Sequence, residues 1–251
     1  MLVLLLPLLS WGQITKPPEF QDKGTFQRGG ASATLDGSSH VSAQRTVINQ
    51  ELLERLRALP GHAEGASLLA NGMLGPAADH FEENGLRIGT AVTHFLAGRT
   101  GKSAELLCTL AKEQPENKTL LPFLGETVGE PRAWAAPMLA AMRKLASPPT
   151  AEGEYYLAQA LLKQDPSQAA EAMEHLTRST ALNPKETRAL LEVARQESSA
   201  NRKPQAIAAL EEALRRDERL AIAHYRLGLL YRATGETERG SKHLRRYEEL
   251  R

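Results

Sequence analysis

The sequence predicts an all-α fold of stacked antiparallel helical hairpins, and two observations support this. Small and large residues recur every 34 positions, in the series Ala172, Ala206, Gly240 and the series Leu176, Leu210, Leu244. Aromatic residues make up only 5% of the 251 residues, and no stretch alternates apolar and polar residues with the period of a β-strand. A helix-turn-helix unit with a 34-residue period is typical of a solenoid, in which each hairpin buries its apolar face against the next.

The last hairpin, residues 219–250, is the most regular unit. The motif residues of this hairpin and of the two units before it are Leu227, Gly228, Tyr231, Gly240 and Leu244, then Ala206, Leu210 and Ala213, and finally Asn183 and Pro184. This pattern resembles the tetratricopeptide repeat (TPR) family. Two helices approach closely only where one offers Gly or Ala to the bulky side chain of the other, which explains the small residues. The resemblance implies a right-handed α-α superhelix, the TPR solenoid.

The regularity of the pattern divides the repeat region into three parts. Residues 153–251 are predicted to hold three TPR units, and residues 85–152 to hold degenerate TPR-like hairpins. Residues 46–84 are predicted to form an N-terminal cap helix, which Pro60-Gly61 ends, and a short degenerate hairpin.

The start of the chain has a different composition. The apolar run at residues 1–12 is shorter than the ~20 residues that span a bilayer, and it fits the core of a secretory signal peptide with a cut before Gln13. This predicts an exported or periplasmic protein; without such processing the chain would be cytoplasmic, and the run lacks a basic leader. Residues 13–45 are rich in Gly, Pro and Ser and are predicted to be a disordered linker.

No set of residues typical of catalysis or of a metal site is found in the sequence. The seven His residues show no metal-binding spacing, and the lone Cys108, which stands at a packing position, is expected to be buried. The GRTGK stretch at 98–102 has the wrong spacing for a phosphate loop and follows a predicted helix. A net charge of +1 does not indicate nucleic acid. We expect no enzyme activity, cofactor, metal, nucleic-acid partner or stable membrane span.

Function is then expected from a surface. In the TPR family, the first helix of each hairpin lines a concave groove that holds an extended or helical peptide. The resemblance places Arg188, Leu191, Arg195, Ile222, Tyr225, Leu229 and Arg232 in this groove, with Tyr155 or Leu157 nearby. Three arginines over an apolar floor would suit a protein or peptide partner of acidic character, although an ordinary solvated face would look the same. Leu191 and Glu192 stand where chaperone-binding members carry their carboxylate clamp, which disfavours that role.

Three functions follow from these observations. The first is an exported, non-catalytic scaffold that binds other proteins through the groove. The second is an accessory or regulatory subunit that positions an enzyme. The third is a structural array that forms a homo-oligomer through the C-terminal hairpin, because solenoid ends usually need a polar cap.

Overall fold

The computed structural model describes residues 50–127 and 132–250 of the chain. These two ranges contain thirteen α-helices and two 3₁₀ helices and no β-strand, so the predicted all-α class is confirmed for them. The α-helices are α1 Gln50–Ala58, α2 Ala63–Ala70, α3 Leu74–Glu83, α4 Arg87–Leu96, α5 Thr100–Glu113, α6 Leu120–Thr127, α7 Ala135–Leu145, α8 Ala151–Gln164, α9 Ala169–Leu182, α10 Arg188–Ser199, α11 Lys203–Arg216, α12 Ala221–Ala233 and α13 Thr237–Leu250. The predicted signal peptide at 1–12 and linker at 13–45 lie outside the described residues.

Helices α2 to α13 pair in chain order into six hairpins within the described residues. The second helix of each hairpin packs on the first helix of the next, as α3 does on α4 and α11 on α12. First helices also contact one another along the row α2, α4, α6 and α8. Since each hairpin contacts mainly its neighbours, the arrangement is a solenoid, as predicted.

Phe81 of α3 joins the first two hairpins, and two glycines make room for its ring. The ring is fully buried. A Cβ atom would lie 2.3 Å from a ring carbon at Gly65 of α2 and 2.2 Å from one at Gly89 of α4. Both distances are far below van der Waals contact, so only glycine lets these two first helices approach the ring.

The last hairpin shows the same principle between its own helices. A Cβ atom at Gly228 of α12 would lie 2.6 Å from Cγ of Leu244 in α13. A Cβ atom at Gly240 would lie 2.8 Å from the carbonyl oxygen of Gly228. The predicted reason for the small residues, a close approach of the two helices, is therefore confirmed here.

Helix α8 departs from the strict 34-residue spacing. Six buried residues of α8 have buried counterparts in α12, each 70 residues later in the chain. The residues of α8 are Gly153, Glu154, Leu157, Ala158, Ala160 and Leu161, and their counterparts are Ala223, His224, Leu227, Gly228, Leu230 and Tyr231. Two periods would give 68, so the connection to α9, which includes the 3₁₀ helix Pro166–Gln168, holds two extra residues. Tyr155 is consequently the counterpart of Tyr225.

Cys108 is buried in α5, as predicted. Burial raises the pKa of its thiol, which disfavours the reactive thiolate.

Replacing Gly89 by alanine should lower the free energy of unfolding by about 1–2 kcal/mol. The added methyl group would overlap the Phe81 ring, and overpacking costs about 1–3 kcal/mol, partly offset by the better helix propensity of alanine. Gly75 of α3 is the matched control, because a Cβ atom there meets no neighbour within 4 Å. Urea denaturation followed by circular dichroism should show Gly75→Ala at least as stable as the parent. Equal stability of the two variants would contradict the packing described here.

Candidate interaction surface on the first helices

Equivalent positions on α8, α10 and α12 form a surface that we call the inner stripe. Its residues are Glu152, Tyr155 and Gln159 of α8, Arg188, Leu191 and Arg195 of α10, and Ile222, Tyr225 and Leu229 of α12. None of the nine is fully buried. The stripe is therefore partly or fully exposed on first helices whose other faces pack inside the solenoid.

Helix α1 lies against the N-terminal part of this stripe. Nη1 of Arg55 is 2.6 Å from Oε1 of Glu152, and Nη1 of Arg188 is 2.6 Å from Oε1 of Glu51. Each ion pair thus joins α1 to a stripe residue, the first on α8 and the second on α10.

These ion pairs bring together parts of the solenoid that are distant along the chain. Helix α1 packs on α2, three hairpins before α8. Through Arg55 and Glu51 it also contacts the fourth and fifth hairpins.

Two tyrosines form the floor beneath Arg188. Its Cζ atom lies 4.9 Å from the ring centroid of Tyr155 and 5.9 Å from that of Tyr156, and the two rings meet edge to face. Burial raises the pKa of both phenols to about 12. Nε and Nη2 of Arg188 donate to the two carboxylate oxygens of Glu186 at 2.9 and 2.8 Å, and these bonds raise the pKa of the guanidinium. Arg188 is therefore a fixed, permanently charged group.

Arg195 is held beside a buried carboxylate. Glu192 is 8% exposed and accepts hydrogen bonds from Nη2 of Arg195 at 2.6 Å and Nε2 of Gln159 at 3.3 Å. Nη1 of Arg226 donates to the carbonyl oxygen of Leu191 at 3.0 Å, which ties α12 to α10. The half-exposed Arg195 side chain carries a charge that Glu192 balances.

The stripe on α12 is more apolar and more open. Ile222 is 37% exposed and Leu229 is 38% exposed, and both rank among the exposed large apolar side chains of the described residues. The ring of Tyr225 packs against Tyr247 of α13, with centroids 5.1 Å apart. The stem of Arg232 lies over Gly240 of α13, since a Cβ atom there would be 2.6 Å from its Cγ.

The seven predicted groove residues therefore do not form one basic floor. Arg188 and Arg195 are each paired with glutamates, and the stem of the exposed Arg232 packs over Gly240 of α13. Ile222 and Leu229 present an apolar surface to solvent. The predicted acidity of the partner has no support in this arrangement.

Sequence reasoning missed the contact between α1 and the stripe. It identified residues 46–84 as an N-terminal cap helix and a degenerate hairpin, and the cap helix had a clear amphipathic pattern. Glu51 and Arg55 stand one turn apart beside three buried leucines. Such a pattern predicts a buried helix face but does not identify its partner, because Arg188 is 137 residues away along the chain.

A second polar cluster lies in a cleft of about 530 Å³ beside α7, α8 and α9. Glu154 is 5% exposed and accepts from Nδ1 of His175 at 2.7 Å and Nε of Arg178 at 2.8 Å. Burial opposes ionisation of Glu154, but the hydrogen bonds from Arg178 and His175 outweigh it, and its pKa lies below the ordinary value. The cluster joins α9 to α8, and Arg178 balances the negative charge of the buried Glu154.

The corresponding place in the last hairpin holds a histidine pair, which the sequence spacing did not reveal. Nδ1 of His224 lies 2.9 Å from Nδ1 of His243, and Nε2 of His224 lies 3.0 Å from the carbonyl oxygen of Glu218. Because a carbonyl only accepts, Nε2 of His224 donates to it, and Nδ1 of His224 accepts from His243. Burial, with His224 and Arg239 nearby, lowers the pKa of His243.

Comparison with known proteins bears on the fold. No family model and no curated protein matches the sequence. The crystal structure of MamA is 22% identical and covers 64% of this chain and 93% of its own, with a TM-score of 0.51. MamA from Desulfovibrio magneticus RS-1, from residue 41 to its end, is 17% identical and covers 66% and 93%, with a TM-score of 0.51. YrrB, described as a TPR protein with an unusual peptide-binding site, is 17% identical and covers 69% and 91%, with a TM-score of 0.46.

The fold is a TPR solenoid. Its six described hairpins, the 34-residue spacing of the buried small residues Ala172, Ala206 and Gly240, and the small-to-large contacts all agree with this assignment. The GRTGK stretch of the sequence spans the turn between α4 and α5 and so connects two helices of this solenoid. In the described residues, no helix has both the length and the apolar character needed to cross a bilayer, and no group of three or more metal-binding side chains occurs.

Lowering the pH should destabilise the last hairpin of the TPR solenoid. The folded-state pKa of His243 is lowered, so the unfolded chain binds its proton more readily. The contribution of neutral His243 is therefore fully present above about pH 6.5 and is lost as the pH falls from there toward the folded-state pKa. In His243→Phe, which keeps a ring beside Tyr231, thermal melting should depend less on pH in this window.

Arg246→Gln is the control for this measurement, because it removes an exposed positive charge from the same helix without touching the histidine pair. It should keep the parent's pH dependence. An unchanged pH dependence in His243→Phe would refute the assignment.

Proposed function

We propose that this chain is a non-catalytic scaffold that binds a peptide or a helix of another protein on its inner stripe. The observation that carries this proposal is the apolar surface of α12, where Ile222 and Leu229 are exposed two turns apart on the same face. Contact of large apolar side chains with water is unfavourable, so their exposure favours a partner that covers them.

The chemistry of the stripe describes such a partner. An apolar contact is offered by Ile222, Leu229 and the edge of the Tyr225 ring. At the border of this apolar surface, Arg195 offers a positive charge that is already paired with Glu192. An amphipathic helix or an extended segment with apolar anchors fits this surface, with polar groups that reach the border. Arg188 and Arg195 are each paired with a glutamate, so neither offers an unbalanced charge to a strongly acidic peptide.

A photo-crosslinking amino acid at Leu229 tests this function. Introduced into the chain in its native cells, it should capture a defined protein that mass spectrometry can identify. The same group at Ala208, which is exposed on α11, the second helix of its hairpin, is the matched control and should not capture it. In a binding assay with the purified partner, Ile222→Asp should raise the Kd about 10-fold or more, since burying an isoleucine contributes about 1.5–3 kcal/mol.

Capture of the same proteins from both positions would contradict the proposal. So would an unchanged Kd in Ile222→Asp, measured beside Ala208→Asp as the control with the same charge change. If crosslinking from Leu229 instead identifies an enzyme, the role as an accessory subunit that positions a catalyst is the specific form of this function.

Self-association is a second candidate, and one observation favours it. Tyr225, Leu244 and Tyr247 line a mostly apolar groove of about 560 Å³ between α12 and α13, where a further hairpin would stack. A second copy that covers this groove should produce a mass that rises with concentration in light scattering, and Tyr247→Glu should abolish the rise. A constant monomeric mass would rule the candidate out.

We also propose that the protein acts outside the cytoplasm. The support is the apolar run at residues 1–12, which fits a secretory signal peptide.

A further inference from the structure

Helix α1 packs on α2 and contacts the α8 and α10 part of the inner stripe through two ion pairs. One face of α1 is buried, with Leu52 and Leu53 each 4% exposed and Leu56 0% exposed. Glu54 and Arg57 on the other face are exposed to solvent. The helix therefore sits with its apolar side inward, as an amphipathic ligand does in a groove.

The polar contacts of α1 with the stripe also resemble those of a peptide bound in a groove. Glu51 and Arg55 contact each other at 2.9 Å, and each reaches one stripe residue, Arg188 and Glu152 respectively. These two stripe residues stand at equivalent positions of consecutive hairpins. Helix α1 thus contacts two consecutive hairpins, the first through the positive charge of Arg55 and the second through the negative charge of Glu51.

The attachment of α1 is suited to release. The nine residues of α1 that the structure describes are too few for a stable helix on their own, so docking contributes to their helical state. The side chains of both ion pairs remain between 27% and 44% exposed, and such pairs are weak and screened by salt. The connection from Ala58 to Ala63 of α2 is short and keeps the released segment close to its site.

We propose that α1 is an internal ligand of the inner stripe, and that a partner helix of the same chemistry displaces it. Such a partner carries a leucine face flanked by a glutamate and an arginine one turn apart. This inference rests on the proposed function, since it names the partner chemistry for the α8 and α10 part of the stripe. While α1 is docked, the affinity of the stripe for the partner is reduced by the fraction of molecules in which the site is open.

Charge reversal at Glu51 tests the proposal in the full chain. Glu51→Lys places a positive charge beside Arg188, so α1 should detach and its amides should exchange with deuterium about 10-fold faster or more. Glu54→Lys is the matched control, because the same change on the exposed face of the same helix should leave exchange unaltered. Thermal melting and circular dichroism establish that both variants keep the solenoid.

Binding of a labelled synthetic peptide of residues 48–60, measured by fluorescence anisotropy, completes the test. The Glu51→Lys chain should bind this wild-type peptide about 10-fold tighter than the parent or the Glu54→Lys chain, because its stripe is vacant and intact. Glu152→Lys should also release α1, since it repels Arg55, but it alters the receptor and should not gain affinity for the peptide. If Glu51→Lys does not fold, Glu152→Lys still reports the release by hydrogen exchange.

Two results would overturn the inference. One is protection of α1 in Glu51→Lys equal to that of the parent. The other is release of α1 without any gain in peptide binding, which would make α1 a cap rather than a ligand. Neither result bears on the proposed function, which is tested at Leu229 on α12, outside the contacts of α1.

Discussion

Contact between a glycine on one helix and a large side chain on another is the constraint on which the rest of this solenoid depends. Phe81 lies between Gly65 and Gly89, and Leu244 lies on Gly228. Each contact lets two helices approach, within one hairpin at Gly65 and Gly228 and between two hairpins at Gly89. Because the apolar faces are buried between neighbours, each hairpin depends on the next for its stability.

The same kind of contact places α8 where α1 can reach it. A Cβ atom at Gly125 of α6 would lie 2.5 Å from Cδ1 of Tyr156, so α6 and α8 pack closely at this point. Tyr155, the next residue, then lies beneath Arg188. The close packing that stabilises the hairpins thus also positions the residues of α8 and α10 that the start of the described chain contacts.

The 34-residue spacing predicted the all-α class and the small-to-large contacts because both depend on local packing. The register of α8 could not be predicted in the same way, since two extra residues before α9 move Tyr155 into the stripe without changing the series Ala172, Ala206 and Gly240. The position of α1 depends on the summed rotations between many hairpins, and no single motif encodes that sum. The pairing of Arg188 with Glu51 therefore had no signal in the sequence.

The charges of the inner stripe have a consequence for selectivity. Glu186 and Glu192 are paired with Arg188 and Arg195, which weakens the attraction of those arginines for acidic segments in general. The ligand proposed above instead matches the pattern, with its own glutamate near Arg188 and its own arginine near Glu152, as α1 does. The apolar contacts then supply most of the affinity and the charges fix the register, because partly exposed ion pairs contribute more to specificity than to binding energy. An exposed apolar surface on α12 next to a charge-patterned and occupied surface on α8 and α10 is what a scaffold needs to hold one partner while excluding others.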